Sequence, residues 1–372
     1  MSSKSIVCPF CPLNCDDVVL DGDGTWVDSQ CDLAAGQFKA VVTPSPARIG
    51  DQTCERIDWE SLRHSLSLPD VPTVELCDAA IGESKSLEAL VAQGAIRIHI
   101  GDDESDVAMD QAIGRDGLMA ATLGDVIRHA EFIWIIGDIG SATPRLSDRL
   151  RRSNARLEST RILSIELLSQ LHHLLGETNS TDADEGPRQD SSSAGYQLFR
   201  QVRRSRYTAI VLGHSAFEPG CEVSAAEMLT RWMQRWNNLA IPVGEIDPPL
   251  TSRVVMLRFT RNQNLRSVMR WRNNYVSRSH FSTPSAASIR IGGRVSTIAA
   301  PIELQIELQI GGEDPGPANA RVYLPASIPG VHFSDTTIRG DGSVTLPLLA
   351  PMHSDLPSRI EVLRRVLGTA PE

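Results

Sequence analysis

The sequence predicts an α/β protein in which a small N-terminal cysteine segment precedes doubly wound parallel sheets. Four of the seven cysteines lie before residue 32. Short apolar runs such as EFIWIIGDIG then alternate with segments of helical spacing, a pattern typical of buried parallel strands joined by helices. After about residue 285 the pattern changes to strands, read in ASIRIGG, PIELQIELQIGG and ARVYLPASIPGVHF.

The elements follow in chain order. SLEALVAQG predicts a helix, and AIRIHIGDD predicts a strand closed by Gly101. Thr122 is a candidate N-cap for a helix over TLGDVIRHA, which leads into the strand EFIWIIGDIG. RILSIELL and YTAIVLGHSAF repeat this strand pattern. CEVSAAEMLTRWMQRW has apolar residues at helical spacing, and PSRIEVLRRVLG predicts a short amphipathic helix.

Changes in composition divide the chain into five parts. Residues 1–52 form the cysteine segment, and 53–175 form a Rossmann-like α/β domain. Residues 176–195, GETNSTDADEGPRQDSSSAG, are polar and predict a disordered or exposed insertion. A second α/β domain follows over 196–285, and the strand-rich part 286–372 completes the α/β core.

Composition and charge exclude some classes of function. The chain has 372 residues, with 36 basic against 46 acidic side chains and a net charge of −10, which argues against nucleic-acid binding. No apolar run approaches the ~18 residues of a membrane span, and the N-terminus has no apolar signal segment. Scattered cysteines do not form a disulfide framework, so we expect a reducing, cytoplasmic setting.

The clearest candidate site is the cysteine motif CPFCPLNC followed by a more distant cysteine. Its members are Cys8, Cys11, Cys15 and Cys31. Four thiolates can ligate a [4Fe–4S] cluster or hold zinc. Structural zinc prefers two tight C-x2-C turns, and only one is present, so the spacing favours the iron–sulfur cluster. A remnant that only packs stays open, since cysteine is a good buried residue.

A second candidate is the basic stretch RFTRNQNLRSVMRWRNNYVSR, Arg258 to Arg278, which carries six arginines and no acid. Its guanidinium groups suit a polyanion through bidentate contacts. The alternative is a solvated or partner-covered basic face.

Several segments together resemble one protein family. CPFCPLNCDDVVL resembles the opening of the B-type chain of formylmethanofuran dehydrogenase, a molybdopterin oxidoreductase-like family. ATLGDVIRHAEFIWIIGDIGSATPRLSDRLRR, RFTRNQNLRSVMRWRNNY and VHFSDTTIRGDGSVTLPL resemble later segments of the same family, in the same order. The resemblance implies a [4Fe–4S] cluster on the four cysteines, in an iron–sulfur-type domain. It also implies doubly wound sheets of the molybdopterin-oxidoreductase type.

The departures from this family concern its redox centre. The cysteine–histidine pair that the family uses near tungsten or molybdenum should fall near Ser105 and Asp106, in GDDESDVAMDQAIG, which contains neither residue type. An acidic stretch also suits the phosphates of a pterin dinucleotide poorly. The Lys-Gly that often follows the fourth cysteine is replaced by CDLAAG. We therefore expect molybdopterin or tungstopterin to be absent.

With these departures the chain most resembles the B-type chain of the bacterial formyltransferase/hydrolase complex. The resemblance implies tetrahydromethanopterin-linked formyl transfer to a methanofuran-type carrier and release of formate, with A, C and D subunits as partners. This chain would be a scaffold without catalytic residues. Its basic stretch would contact the carrier's polyglutamate tail through Arg258, Arg266, Arg270 and Arg272. Two alternatives stay open: a redox-active formylmethanofuran dehydrogenase subunit, and a zinc-stapled interaction protein.

Overall fold

The computed structural model of the chain forms two compact units. It describes residues 4–20, 26–28, 31–42, 44–99, 104–177, 192–243, 250–259, 288–293 and 306–369. The first unit combines Met1–Gly101 with Asn262–Glu372, and the second is Asp102–Arg261. The chain therefore leaves the first unit, builds the second, and returns.

The first unit takes its elements from both ends of the chain. The N-terminal part contributes β1 (Lys4–Ile6), β2 (Val18–Leu20), β3 (Trp26–Asp28), α1 (Asp32–Val42), β4 (Ala47–Ile49), β5 (Gln52–Cys54), α2 (Trp59–Ser65), β6 (Thr73–Leu76), α3 (Ile81–Ala92) and β7 (Arg97–His99). With the strands of the second unit numbered β8 to β13, the C-terminal part contributes β14 (Ile289–Ile291), β15 (Ile306–Ile310), β16 (Ala320–Leu324), β17 (Asp335–Ile338), β18 (Thr345–Leu348) and α10 (Arg359–Leu367).

The main sheet of the first unit joins strands from both ends of the chain. Its order is β5-β4-β16-β15-β14-β6-β7. The pairs from β16 to β7 are parallel, whereas β4 pairs antiparallel with β16 and with β5. Buried aliphatic residues of its strands, including Leu76, Ile291 and Ile310, pack with Leu363 of α10 in one core. β1, β2 and β3 form a separate antiparallel sheet, and β17 pairs with β18.

The second unit is built around a four-stranded parallel sheet. Its elements are α4 (Glu104–Asp116), α5 (Leu123–His129), β8 (Phe132–Ile136), α6 (Leu146–Leu150), β9 (Arg156–Thr160), α7 (Ile165–Glu177), α8 (Ala194–Arg204), β10 (Tyr207–Leu212), α9 (Glu222–Leu239), β11 (Pro242–Val243), β12 (Leu250–Thr251) and β13 (Arg253–Arg258). The sheet order is β13-β10-β8-β9, and every pair is parallel. Every residue of β8 is buried, so both faces of this strand are covered.

The main sheet of each unit has a topological switch point, where successive connections leave neighbouring strands in opposite directions. In the second unit the chain leaves β8 for β9 on one side and returns to β10 on the other. In the first unit β6 leads to β7 on one side, while β14 leads to β15 on the other. Doubly wound sheets place their ligands outside the carboxyl ends of the strands at such points.

The α/β class with parallel sheets is confirmed. Thr122 caps α5 as predicted, accepting a hydrogen bond from the Asp125 amide at 3.1 Å. The strand predicted over RILSIELL is wrong, because this segment opens α7 and the strand β9 precedes it. No described helix combines the length and apolar character that crossing a membrane requires.

The predicted part boundaries fall as follows on this fold. The boundaries after residues 52 and 285 lie within the sequence ranges of the first unit, and those after 175 and 195 lie within the second. Most of the predicted insertion 176–195 is outside the described residues, which resume at residue 192.

Candidate functional site

The three N-terminal cysteines lie on a closed loop between β1 and β2. The Cys8 amide donates to the Cys15 carbonyl at 2.7 Å, which ties the two ends of the loop together. Inside it, the Asn14 amide donates to the Cys11 carbonyl at 3.1 Å, and Asn14 takes a left-handed φ of 44°. All of the loop's cysteines are buried. The loop therefore holds its thiols inside the protein.

Helix α1 brings the fourth cysteine into this region. The Cys31 carbonyl accepts from the Ala35 amide at 3.0 Å, so Cys31 stands directly before the first turn. Further along α1, the Phe38 ring meets the Phe10 ring edge-on, with centroids 4.7 Å apart. This aromatic pair joins the helix to the cysteine loop.

Burial and the other three cysteines all act on the Cys8 thiol. Burial raises the pKa of the Cys8 thiol well above its ordinary value, and Cys11 raises it further, followed by Cys15 and Cys31. Thiols are the donors that zinc and iron–sulfur clusters use. In the described part of the chain, which includes all four cysteines, no group of three or more His, Cys, Asp or Glu side chains is arranged to hold a metal ion. The four side chains are therefore of the type that ligates a cluster, and the structure shows them as buried thiols.

Arg258 ends β13 and is buried instead of lying on an open basic surface. Its Nη2 donates to Asp106 Oδ1 at 2.8 Å, and its Nη1 donates to Asp110. A contact with an external carboxylate would require breaking these buried pairs. The predicted carrier surface is therefore restricted to Arg266, Arg270 and Arg272, which lie outside the described residues.

These pairs belong to a buried group at the carboxyl edge of the second unit's sheet, which we call the Arg258 cluster: Asp106, Asp110, His214 and Arg258. His214 follows β10, and its Nδ1 lies 3.0 Å from Asp106 Oδ2. His214 also exchanges backbone hydrogen bonds of 2.9 Å with Asp138, which follows β8. The cluster thus lies at the switch point between β8 and β10.

The charge on Asp106 is stabilised by its neighbours. Burial by itself would raise the pKa of this carboxyl, but the hydrogen bond with His214 and the charge of Arg258 outweigh it and hold the pKa at about 2. The same carboxylates raise the pKa of Arg258 against the effect of burial. Asp106 and Arg258 are therefore both charged and paired with each other at neutral pH.

The first unit has a similar group at its own switch point, the Arg359 cluster: Asp78, Glu83 and Arg359. Asp78 follows β6, and its Oδ2 accepts from the Gly293 amide after β14 at 3.0 Å. Arg359 is 1% exposed; its Nε donates to Glu83 Oε1 at 2.8 Å, and its Nη1 to Asp78. Burial raises the pKa of Glu83, and the charge of Arg359 opposes this shift.

These two groups do not suit a pterin dinucleotide cofactor. Its phosphates bind best to exposed amides at glycine turns and helix N-termini. Here a buried arginine, Arg258 in one unit and Arg359 of α10 in the other, is already paired with two carboxylates at each switch point. A phosphate placed beside Asp78 or Asp106 would meet like charge at short range. The residues that the structure describes at these edges therefore do not form a phosphate site.

The sequence motifs indicate Arg258 but neither its partners nor any member of the Arg359 cluster. The sequence offers one indirect signal for these residues, which is their position directly after an apolar strand. His214 follows YTAIVLG, and Asp78 follows VELC. The glycine pairs in SIRIGG and LQIGG give the same signal. Which carboxylate meets which arginine depends on residues up to 281 positions apart, as for Asp78 and Arg359, and no local pattern contains this.

Comparison with known proteins places the fold. No family model and no curated protein matches the chain. Among solved structures it is similar to a chain of the formyltransferase/hydrolase complex (FhcABCD) from Methylorubrum extorquens, determined in complex with methylofuran. The TM-score is 0.61 and the identity 14%, over 87% of this chain and 98% of that chain. At this identity the likeness establishes a shared α/β fold.

Proposed function

We propose that the chain is the B-type subunit of a formyltransferase/hydrolase complex, acting with A, C and D subunits in methanofuran-linked one-carbon metabolism. The observation that carries the proposal is the fold shared with a chain of such a complex over 87% of this sequence. The ordered sequence resemblance to the same family supports it independently. In this proposal the complex transfers a formyl group from a tetrahydropterin to the carrier and releases formate.

Within the complex this chain acts as a scaffold and not as a redox centre. The Arg258 and Arg359 clusters support this role, because they place paired charges where a doubly wound fold would bind a cofactor. Because these charges are paired within the chain, no ligand is needed to neutralise them. The redox alternative, formylmethanofuran dehydrogenase, would require a pterin site elsewhere in the chain.

We also propose that the four N-terminal cysteines can hold a [4Fe–4S] cluster with a structural role. The supporting observation is their joint burial beside β1, β2 and α1. When bound, a cluster would cross-link the loop to the segment before α1 and contribute folding free energy. Cys8, Cys11, Cys15 and Cys31 would be the ligands.

Elemental analysis of chain purified without oxygen tests these assignments. Iron at about four atoms per chain, with no tungsten or molybdenum, would support the structural cluster. Stoichiometric tungsten or molybdenum would contradict the scaffold role, and zinc alone would favour the zinc-stapled alternative. A metal-free, folded chain would leave the cysteines as packing residues.

The carrier contact is proposed for Arg266, Arg270 and Arg272 from charge and resemblance. A polycarboxylate tail suits arginines, whose planar groups bind carboxylates in pairs. In the assembled complex, replacing the three with alanine should raise the carrier's KM at low salt and leave kcat unchanged. An unchanged KM would remove these residues from the carrier site.

A further inference from the structure

The amino edge of the four-stranded sheet in the second unit carries a concentration of arginines. We name as the basic edge six exposed arginines that begin its strands or end the helices leading into them: Arg128, Arg156, Arg203, Arg204, Arg206 and Arg253. The chain as a whole has a net charge of −10. The local excess of positive charge at this edge is therefore opposite in sign to the net charge of the chain.

Three of these arginines lie at the starts of strands, but not at one level of the sheet. Arg156 aligns with Phe132 and Thr208, whereas Arg253 aligns with Tyr207, so the side chains of Arg156 and Arg253 leave opposite faces. The Arg156 amide donates to the Glu131 carbonyl at 3.0 Å, at the starts of β9 and β8. The Arg253 amide donates to the Arg206 carbonyl at 2.9 Å, at the starts of β13 and β10. Neighbouring strands lie ~4.8 Å apart, so the starts of the four strands span roughly 14 Å.

The last turns of α5 and α8 add three more arginines to this edge. Arg128 lies in the last turn of α5, two residues before Ala130, and Arg203 and Arg204 lie in the last turn of α8. A cation at a helix C-terminus is favourable to the helix dipole, which accounts for part of this pattern. The dipole does not account for Arg156 and Arg253, because each of them begins a strand.

Most of this charge is not used within the described protein. Arg206 pairs with Glu131, with Nε and Oε1 2.5 Å apart, while its side chain stays 60% exposed. The other five arginines form no ion pair with any described residue. They can therefore take carboxylates from another molecule without breaking an existing pair.

We propose that the basic edge is a docking surface for an extended acidic segment of a partner polypeptide. An extended chain advances ~3.3 Å per residue, so a segment of about five residues crosses the four strand starts, and its side chains can meet arginines on both faces of the sheet. Arginine binds carboxylates with two parallel hydrogen bonds, which gives such a contact direction as well as charge. This surface does not depend on the proposed function, and it lies at the opposite edge of the sheet from the Arg258 cluster.

The basic edge favours carboxylates over nucleic acid. Base stacking uses aromatic faces, and the six residues that define the basic edge are all arginines. The overall charge of −10 also repels a long polyanion.

The test is fluorescence anisotropy of the full chain with a labelled peptide of alternating glutamate and serine. The controls are the same peptide with glutamine for glutamate and a thymidine oligonucleotide of equal length. We expect the acidic peptide alone to bind, and its affinity to fall at least ~10-fold between about 50 and 300 mM salt. No binding of the acidic peptide would overturn the proposal, and tighter binding of the oligonucleotide would make the edge a nucleic-acid surface.

Variants locate the binding. Arg156→Gln with Arg253→Gln should weaken peptide binding ~10-fold, the loss expected from removing about 1.4 kcal/mol. The matched control, Arg56→Gln with Arg97→Gln, removes two exposed charges in the first unit and should leave binding unchanged. Equal weakening by both pairs would mean general attraction and overturn the site. If the first pair lowers the melting temperature, Arg203→Gln with Arg204→Gln takes its place.

Discussion

Arg359 and Arg258 show how a buried arginine is retained in each unit. Removing an ion from water is costly, and the cost is offset only where its donors are satisfied. Arg359 meets Asp78 and Glu83, and Arg258 meets Asp106 and Asp110. Each arginine pairs with a carboxylate far away in the sequence, and these pairs lie at the carboxyl edge of the sheet.

Replacing Arg359 by methionine should destabilise the protein strongly. The substitution keeps much of the side-chain volume but leaves Asp78 and Glu83 as buried carboxylates without their cation, at a cost of about 3–5 kcal/mol. The measurement is urea unfolding of the full chain. Arg365→Met is the control on the same helix, because Arg365 pairs with Glu361 at the surface and should cost under ~1 kcal/mol. Equal losses would contradict the structural role of the Arg359 cluster.

Asp106 should make stability depend on acid pH. Its folded pKa is about 2, below the ordinary value of 3.8, so its contribution is present above about pH 4 and is lost as the pH falls toward 2. Asp106→Asn should therefore lower the free energy of unfolding by ~2 kcal/mol at pH 5, and the gap to wild type should shrink below pH 3.

Asp148→Asn is the comparison for this pH series. Asp148 is 65% exposed in its pair with Arg151, so the substitution should cost little at any pH. A gap for Asp106→Asn that stays constant from pH 5 to pH 2 would show that its charge is not what stabilises the fold.

The elements differ in how well the sequence predicted them. Helix α5 and strand β8 were predictable, because a capping threonine and a continuous apolar run are local signals. RILSIELL failed because four of its residues open the amphipathic helix α7, while the true strand, β9, is polar and only partly buried at the sheet edge. The carboxylate partners of the arginines could not be predicted, since they are set by strand order and not by local spacing.

Helix α1 should control access to the cysteine loop. Phe38→Ala removes the ring that packs on Phe10 and should cost about 3–5 kcal/mol. We expect the buried N-terminal thiols of this variant to react faster with a disulfide dye than those of the wild type. Mass mapping then identifies the labelled cysteines. Val42→Ala, at a 62% exposed position of the same helix, should not change the rate. Equal labelling in both variants would exclude this role for α1.

The turn after β14 should tolerate no side chain. Gly292 and Gly94 share a φ of +71°, but a Cβ on Gly292 would lie 2.3 Å from Asp78 Oδ2, whereas one on Gly94 would meet nothing within 4 Å. Gly94→Ala should therefore cost only the ~1–2 kcal/mol of a left-handed residue. Gly292→Ala should lower the melting temperature further, because it also displaces Asp78. Equal decreases in melting temperature for the two variants would show that the contact between a Cβ on Gly292 and Asp78 does not affect stability.

At the scale of the whole molecule, each of two units carries a largely parallel sheet with a paired, buried arginine at its carboxyl edge. The fold is shared with a chain of a formyltransferase/hydrolase complex, and the residues that the structure describes at the two edges do not form a phosphate site. In the role that we propose, the chain contributes surfaces to an assembly, and the basic edge of the second unit is proposed as one of them.

The most direct test of this account is the activity of the assembly isolated from native cells through a tag on this chain. We predict that it transfers a formyl group from a formyl-tetrahydropterin to a methanofuran-type amine and releases formate, with no electron donor or acceptor added. Native mass spectrometry of the same sample should show this chain with other subunits. Formate production from carbon dioxide that requires a reductant, or a chain isolated alone without formyl transfer, would contradict the account.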